Sequence, residues 1–304
     1  MNDRLRLIAE HSLTYAPHHV ADHLGYFTDA GLDIDLSYES GPGGSWLAEV
    51  LARGEADIAR GGVWIPMMYR DHLEDLRLFA ALCHRNAQVL FTRTPSENFS
   101  LRELEGRRIM LPAAATSQWM YVRGLFEEQG ADWKKVLWIR DLEVRTMLRL
   151  WRGGYADGFL TSPPLAETLI GEGHHAALDL ADTGAVPWSV YYAPRIAIEE
   201  KAEPLSRFVG ALSRAVGWME TVPASEIARL IGKDFPAWGL PVVERALARM
   251  RAKGTWNRDM HVPAEPLQRY QKMIASYGLI PAPMPHGTIV DDRAASAQPL
   301  ATAS

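Results

Sequence analysis

Three histidines near the N-terminus, His18, His19 and His23, form the pattern H-H-x-x-x-H. On a helix, His19 and His23 would share one face at the i, i+4 spacing that transition metals use. No third or fourth ligand stands at a matching spacing, and neither an HExxH run nor a cysteine pair occurs, so no metal is expected. An imidazole can also act as a base or donate a hydrogen bond near neutral pH, a role open to His18. The plainer reading of all three is a set of polar side chains at a helix start.

Arg60 follows Ala56 to Ala59 and precedes Gly61, Gly62 and Trp64. In a cleft, a guanidinium can clamp a carboxylate or sulfonate with two parallel hydrogen bonds, and an ion pair with Glu55 or Asp57 is the alternative. The run SGPGGSW, residues 40 to 46, is a glycine loop entering a helix whose N-cap is Gly44 or Ser45. Amide groups at Gly43, Gly44 and Ser45, together with the helix dipole, would favour an anion; a turn that meets no ligand fits equally. Thr116 and Ser117, ahead of QWMYVRGLF, offer a matching site.

Trp64, Trp119, Trp188 and Tyr191 could wall an aromatic ligand. With ten tryptophans in the chain, several must be core. Asp157 and Ser162 occupy the loop of ADGFLTSPP, where Asp157 suits a turn bonded to its own backbone and Ser162 suits a helix cap. The chain has no GxSxG elbow, no GxGxxG and no Walker lysine, so a hydrolase triad, a dinucleotide and a nucleoside triphosphate lose their usual signals and no cofactor is expected.

These residues must be positioned by alternating short apolar runs and amphipathic stretches, which is α/β patterning. RLRLIAEH reads as a strand, APHHVADHLGYFTDAG as a helix and LDIDLSYE as a second strand. The helix SWLAEVLARG, the strand ADIARG and a helix over 65–72 come next, then strands LRLFAAL and QVLFTR. A second set follows: strand EGRRIMLP, helix TSQWMYVRGLFEEQG, strand KVLWIR, helix VRTMLRLWRGG and strand ADGFLTS. LAEVLARGEADIARGG and RTMLRLWRGGYADGFLTS repeat one device about 100 residues apart, which implies two similar lobes rather than a solenoid. From Pro194 the pattern is helical, and the stretch after Pro281, rich in Pro, Ala and Ser, reads as disordered.

Composition agrees with a globular protein: 304 residues, 47% hydrophobic and 23% charged, enough for one or two domains. The net charge of -5 and the lack of a basic run give no support to nucleic-acid or anionic-membrane binding. No window reaches the roughly 18 apolar residues of a membrane span, so no direct membrane insertion is expected. Charged residues interrupt the first 17 positions where a secretory signal needs an apolar core, so a cytoplasmic location is expected if Met1 is the native start and a periplasmic one if the native N-terminus is longer. Cys83 is the single cysteine.

LGYFTDAGLDIDL, SGPGGSWLAEVLARGEADIA, LRELEGRRIMLP and WRGGYADGFL, in that order, resemble the SsuA/THI5-like superfamily, which includes the binding proteins of ABC importers. The resemblance covers about residues 4 to 280. It implies a type II periplasmic-binding-protein fold, with ligand held in a cleft between two α/β lobes. Lobe one would be residues 1–87 plus 193–280 with the C-terminal helices, lobe two residues 88–192, and 281–304 a disordered tail. The cleft would then gather His18, His19, the glycine loop, Arg60 to Trp64, Thr116, Ser117, Trp119, Asp157, Ser162, Trp188 and Tyr191 around a small anionic or aromatic organic molecule. An ABC permease would be a partner only if a signal or anchor lies outside this chain.

Two enzyme branches bear on the function. Pyrimidine synthases of thiamine biosynthesis place a lysine and a histidine where this chain has Gly61 and Ile65, and carry a cysteine cluster it lacks. The aromatic sulfinate desulfinase branch is similar in LTYAPHHV and GYFTDAGLDIDL, with its nucleophilic cysteine at the position of His18 and an arginine near Arg60. A lyase or hydrolase using His18 and Arg60 is therefore the alternative expectation.

Overall fold

In the computed structural model, residues 3–38, 44, 46–113 and 115–296 are described. The strands of the first half are β1 (Asp3–Ala9), β2 (Leu32–Tyr38), β3 (Ile58–Gly61) and β4 (Leu76–Ala81). Between them lie helices α1 (Ala16–His23), α2 (Tyr26–Asp29), α3 (Trp46–Ala52) and α4 (Trp64–Tyr69). The single helix expected over APHHVADHLGYFTDAG is broken at Gly25, whose φ of 72° turns the chain between α1 and α2.

The second half repeats the plan. It contains β5 (Val89–Thr92), β6 (Arg108–Met110), α5 (Thr116–Glu128), β7 (Leu137–Ile139), α6 (Val144–Arg152), β8 (Gly158–Thr161), α7 (Pro163–Gly171) and β9 (His175–Asp179). Strand β10 (Val190–Pro194) then returns to the first sheet, giving the orders β2-β1-β3-β10-β4 and β7-β6-β8-β5-β9. In both sheets the fourth strand is antiparallel to its neighbours on each side, and it is the strand reached by a crossover between lobes. The two sheets are thus one design used twice, as the internal repeat implied. Because β10 belongs to the first sheet, the boundary expected at residue 193 falls inside a strand; the chain passes back before Val190.

The repeated Ala-Asp has a structural cause. Asp57 Oδ2 accepts the backbone N–H of Arg6 at 2.9 Å, and Asp157 Oδ2 accepts that of Arg108 at 2.8 Å. Each aspartate thereby holds the start of a short central strand against its parallel neighbour. Asp157 is a strand tie rather than a cleft residue. Asp57 also pairs with Arg6 and Lys201, and Glu55 pairs with Arg53, so neither engages Arg60.

The C-terminal third is helical: α8 (Arg195–Glu200), α9 (Ala202–Thr221), α10 (Ala224–Ile231), α11 (Leu240–Ala252), α12 (Ala264–Tyr277), α13 (His286–Ile289) and α14 (Arg293–Ser296). Helix α9 packs on α1 and α2 of lobe one, as expected, but α11 packs on α7 and α12 on α5, both in lobe two. Ion pairs follow these seams: Arg249 Nε to Glu167 at 2.6 Å and Nη1 to Asp179 at 3.1 Å, Lys253 to Asp182 and Arg269 to Glu128. Glu167 is 4% exposed, so its pair with Arg249 is a buried one whose disruption would strand a charge. The C-terminal helices therefore bind both lobes together.

The segment after Pro281, expected to be disordered, is ordered through Ser296. Val290 bridges to Leu78, and Ala294 and Ala295 are buried at 3% as α14 packs on α9. Small apolar residues suit this close docking better than the tail-like composition suggested. Residues 297–304 lie outside the described residues.

Candidate functional site

The carboxyl ends of the central strands in both lobes open on one cavity of about 250 Å³. This is where open α/β sheets place ligands, and the volume suits a small metabolite. Lobe one supplies the segment after β1, from Glu10 to Tyr15, and Gly61 and Gly62 after β3. Lobe two supplies Ser117 and Gln118 in the first turn of α5, and Ser162 and Pro163 at the start of α7. The crossovers complete the wall with Ala87 and Gln88, and with Trp188 and Ser189.

The polar lining is organised. Ser189 Oγ donates to Thr14 Oγ1 at 3.3 Å, and Thr14 Oγ1 donates to Ser12 Oγ at 3.1 Å. This chain runs toward the cavity and leaves the Ser12 hydroxyl proton as its terminal donor. Helix α5 has an alanine N-cap and no side-chain cap, so its first-turn amides remain available beside Ser117. Ser162 stands at the N-cap of α7 and makes no cap hydrogen bond with its side chain. Across the cleft, Trp64 Nε1 donates to Ser117 Oγ at 3.0 Å. A Cβ on Gly62 would lie 2.7 Å from that same Oγ, so only glycine lets the lobes approach this closely.

Five of the residues singled out from the sequence line this cavity: Gly61, Gly62, Ser117, Ser162 and Trp188. The others have different places. Gly43 and Ser45 lie outside the described residues. Gly44 is buried, and a Cβ there would overlap Glu10 Oε1: the protein's own carboxylate occupies the space expected for a ligand anion. Thr116 begins α5 but does not face the cavity, and Trp119 packs against Trp138 with its face under Arg140.

His18 is 1% exposed and lies among Phe27, Phe208 and Tyr191, whose hydroxyl is 3.3 Å from its Nδ1. Burial, then the charge of Arg60 and then His19, holds its pKa well below the usual histidine range. It is a neutral core group, not the cleft base expected, and Tyr191 is core beside it. Burial likewise lowers His19 to about 3, with Arg60, His11 and His23 adding to the effect. His19 and His23 both face Asp234, at 3.3 and 2.8 Å, and tie α1 to the C-terminal region instead of forming a ligand face.

Arg60 is wholly buried. The guanidinium carbon sits 4.3 Å from the centroid of Tyr15, and Nη2 lies 3.5 Å from the backbone oxygen of Glu10. Arg60 pairs in register with Tyr191 and lies behind Tyr15 and Glu10, which line the cavity, whereas Gly61 and Gly62 meet it directly. Glu10 to Tyr15, Gln88, Gln118 and Ser189 were missed. The first group follows a strand that was read correctly, so the strand-end rule could have found it; Gln88 and Ser189 come from crossovers and had no such signal.

The geometry joins a set of relatives. YtlA of Bacillus subtilis (strain 168), provisionally described as a binding protein, is 22% identical over 286 residues, 92% of this chain and 85% of its own. The periplasmic aliphatic sulphonate binding protein SsuA of Escherichia coli aligns over 97% of this chain and all of its own, with a TM-score of 0.77 at 16% identity. The desulfurization enzyme DszB aligns over 96% and 98%, with a TM-score of 0.69 at 15% identity. A binding protein and an enzyme thus share this fold, and likeness at such identities fixes the architecture alone. The NMT1/THI5-like family model matches residues 12–226, and the chain belongs to that family.

Proposed function

We propose that this protein is a binding protein that holds one small polar organic molecule between its lobes. The observation that carries this reading is the cavity, walled by polar groups from both lobes and both crossovers and bridged by the Trp64–Ser117 hydrogen bond. The hydroxyl chain ending at Ser12 and the first turn of α5 supply directed donors at its wall. The enzyme alternative relied on His18 and Arg60, and neither lines the cavity. Among the described residues no helix is long and apolar enough to cross a membrane. Delivery of the molecule to an ABC permease, the partner implied by the family resemblance, belongs to this reading.

Titration calorimetry and thermal-shift measurements against sulfonates, carboxylates and heteroaromatic compounds test it. Saturable one-to-one binding with a raised melting temperature is expected. No saturable binding across these classes, or turnover of a compound that binds, would contradict it.

A further inference from the structure

Helix α11 packs on α7 and α12 on α5, and these are the two helices that begin at the cavity wall, with Ser162 and Pro163 at one start and Ser117 and Gln118 at the other. Among the described residues, each ion pair across this seam has its cation on the C-terminal part and its carboxylate on lobe two. Arg249 reaches Glu167 and Asp179, Arg245 reaches Glu167 at 3.9 Å, Lys253 reaches Asp182 at 2.6 Å and Arg269 reaches Glu128 at 2.6 Å. Other side chains add to them. Ser276 Oγ donates to Glu127 at 2.7 Å, the Tyr270 hydroxyl donates to the Ser117 carbonyl at 3.1 Å, and Met273 lies where a Cβ on Gly124 would overlap it. No backbone–backbone hydrogen bond joins α11 or α12 to lobe two among the described residues.

The attachment to lobe one is of another kind. The segment between α11 and α12 runs beside the end of β4 and the crossover that follows it. The Asn257 N–H donates to the Leu82 carbonyl at 2.8 Å, the Ala81 N–H to that of Met260 at 2.8 Å and the His84 N–H to that of Thr255 at 2.9 Å. Asn257, 1% exposed, also donates through Nδ2 to the Ala81 carbonyl, and Trp256 Nε1 donates to the Thr14 carbonyl at 2.8 Å. Buried backbone bonds are costly to leave unmade, whereas part-exposed ion pairs are weak one by one and are screened by salt. Lobe one therefore holds this helix pair permanently, and lobe two holds it reversibly.

We propose that α11 and α12 form a strap, anchored on lobe one and closed onto lobe two by its ion pairs, and that release of α5 and α7 from the strap is the step that opens the cleft. The proposal rests on the binding reading above, since the cleft is taken to admit a ligand.

Thiol labelling follows the seam itself and needs no ligand. Met273→Cys places a thiol at the seam, where Met273 is 5% exposed, and Cys83, fully buried and bridged to Trp256 at the strap's anchor, is the internal control. With N-ethylmaleimide, which is uncharged, the seam thiol should react at least about fivefold faster in about 500 mM than in about 20 mM sodium chloride, with the Cys83 rate unchanged. Adding Lys253→Glu and Arg269→Glu should speed the seam thiol about tenfold at the lower salt, and adding the partner reversals Asp182→Lys and Glu128→Arg should return it to within about twofold of the starting rate. Far-ultraviolet circular dichroism confirms that each charge variant is folded, and the salt comparison requires none of them. A seam rate unmoved by salt or by the charge reversals, or a Cys83 rate that rises in step with it, overturns the strap. Either result leaves the binding reading standing, because that reading is decided by titration: a lack of saturable binding would remove it whatever the seam does.

Discussion

The end of β3 in lobe one and the end of β8 in lobe two occupy equivalent places in two sheets of the same strand order, yet they do different work. After β3 Arg60 is buried against Tyr15, and Gly44 lies against Glu10. After β8 and at the start of α5, Ser162 and Ser117 face the cavity. A duplicated scaffold therefore does not duplicate its site. One copy buries its strand-end arginine and reaches the cavity through Glu10, Ser12 and Thr14 after β1, and the other reaches it through Ser117 and Ser162.

The sharpest way to break this comparison is Arg60→Ala. A structural Arg60 leaves a void and an unsupported Tyr15 face when truncated, so urea unfolding should show a loss of about 3 kcal/mol. A ligand clamp would instead weaken binding in a protein of ordinary stability. Next come the two strand ties. Asp57→Ala should cost about 2 kcal/mol, since it removes hydrogen bonds from Arg6 and the Lys201 pair, and Asp157→Ala about 1 kcal/mol for a single backbone bond. Equal costs in paired denaturation curves would show the two ties to be equivalent.

Acid should weaken lobe one through two groups. His19 titrates near 3 in the folded protein and near the ordinary 6.5 when unfolded, chiefly because burial disfavours its charged form. Between those values the unfolded chain binds more protons, so stability is complete above about 6.5 and falls as the pH drops toward 3. For Asp57, burial is the largest single influence and raises its pKa, but the hydrogen bonds from Arg6 and the Lys201 charge together hold it below 3.8. Its contribution is present above about 3.8 and is lost as the pH falls through the lower folded value. Melting temperatures from pH 7.5 to 4.5 should decline in the wild type and decline less in His19→Gln; parallel curves would remove His19 as a cause. The smallest effect is expected at Ser162→Ala: about threefold weaker binding by calorimetry, with stability changed by under about 0.5 kcal/mol.

Much of this architecture could be read from the sequence, because short apolar runs bounded by Gly and polar residues mark β1 to β8. Two strands could not. β9, HAALD, has few branched or aromatic residues, and β10 gains its role only by pairing with β3 and β4 across some 110 to 130 residues of chain. The amphipathic pattern of α11 and α12 shows that each has an apolar face, but not that the partner face is in lobe two. At the cavity, strand-end reasoning had singled out Gly61, Gly62, Ser117, Ser162 and Trp188, which line it. His18 and Arg60 do not line it, because residue type suggests reactivity whereas rotation about a helix and position along a strand decide which side a group faces.

The most direct test of lobe two as the wall that holds the ligand is calorimetric titration of the tightest-binding of the sulfonates, carboxylates and heteroaromatic compounds into wild type and a Ser117→Ala/Gln118→Ala double variant. One-to-one binding to the wild type and a loss of about tenfold or more in the folded double variant are expected, from about 1.4 kcal/mol of hydrogen bonding at the start of α5. Equal affinity in the two proteins would contradict the assignment of lobe two as the wall that holds the ligand.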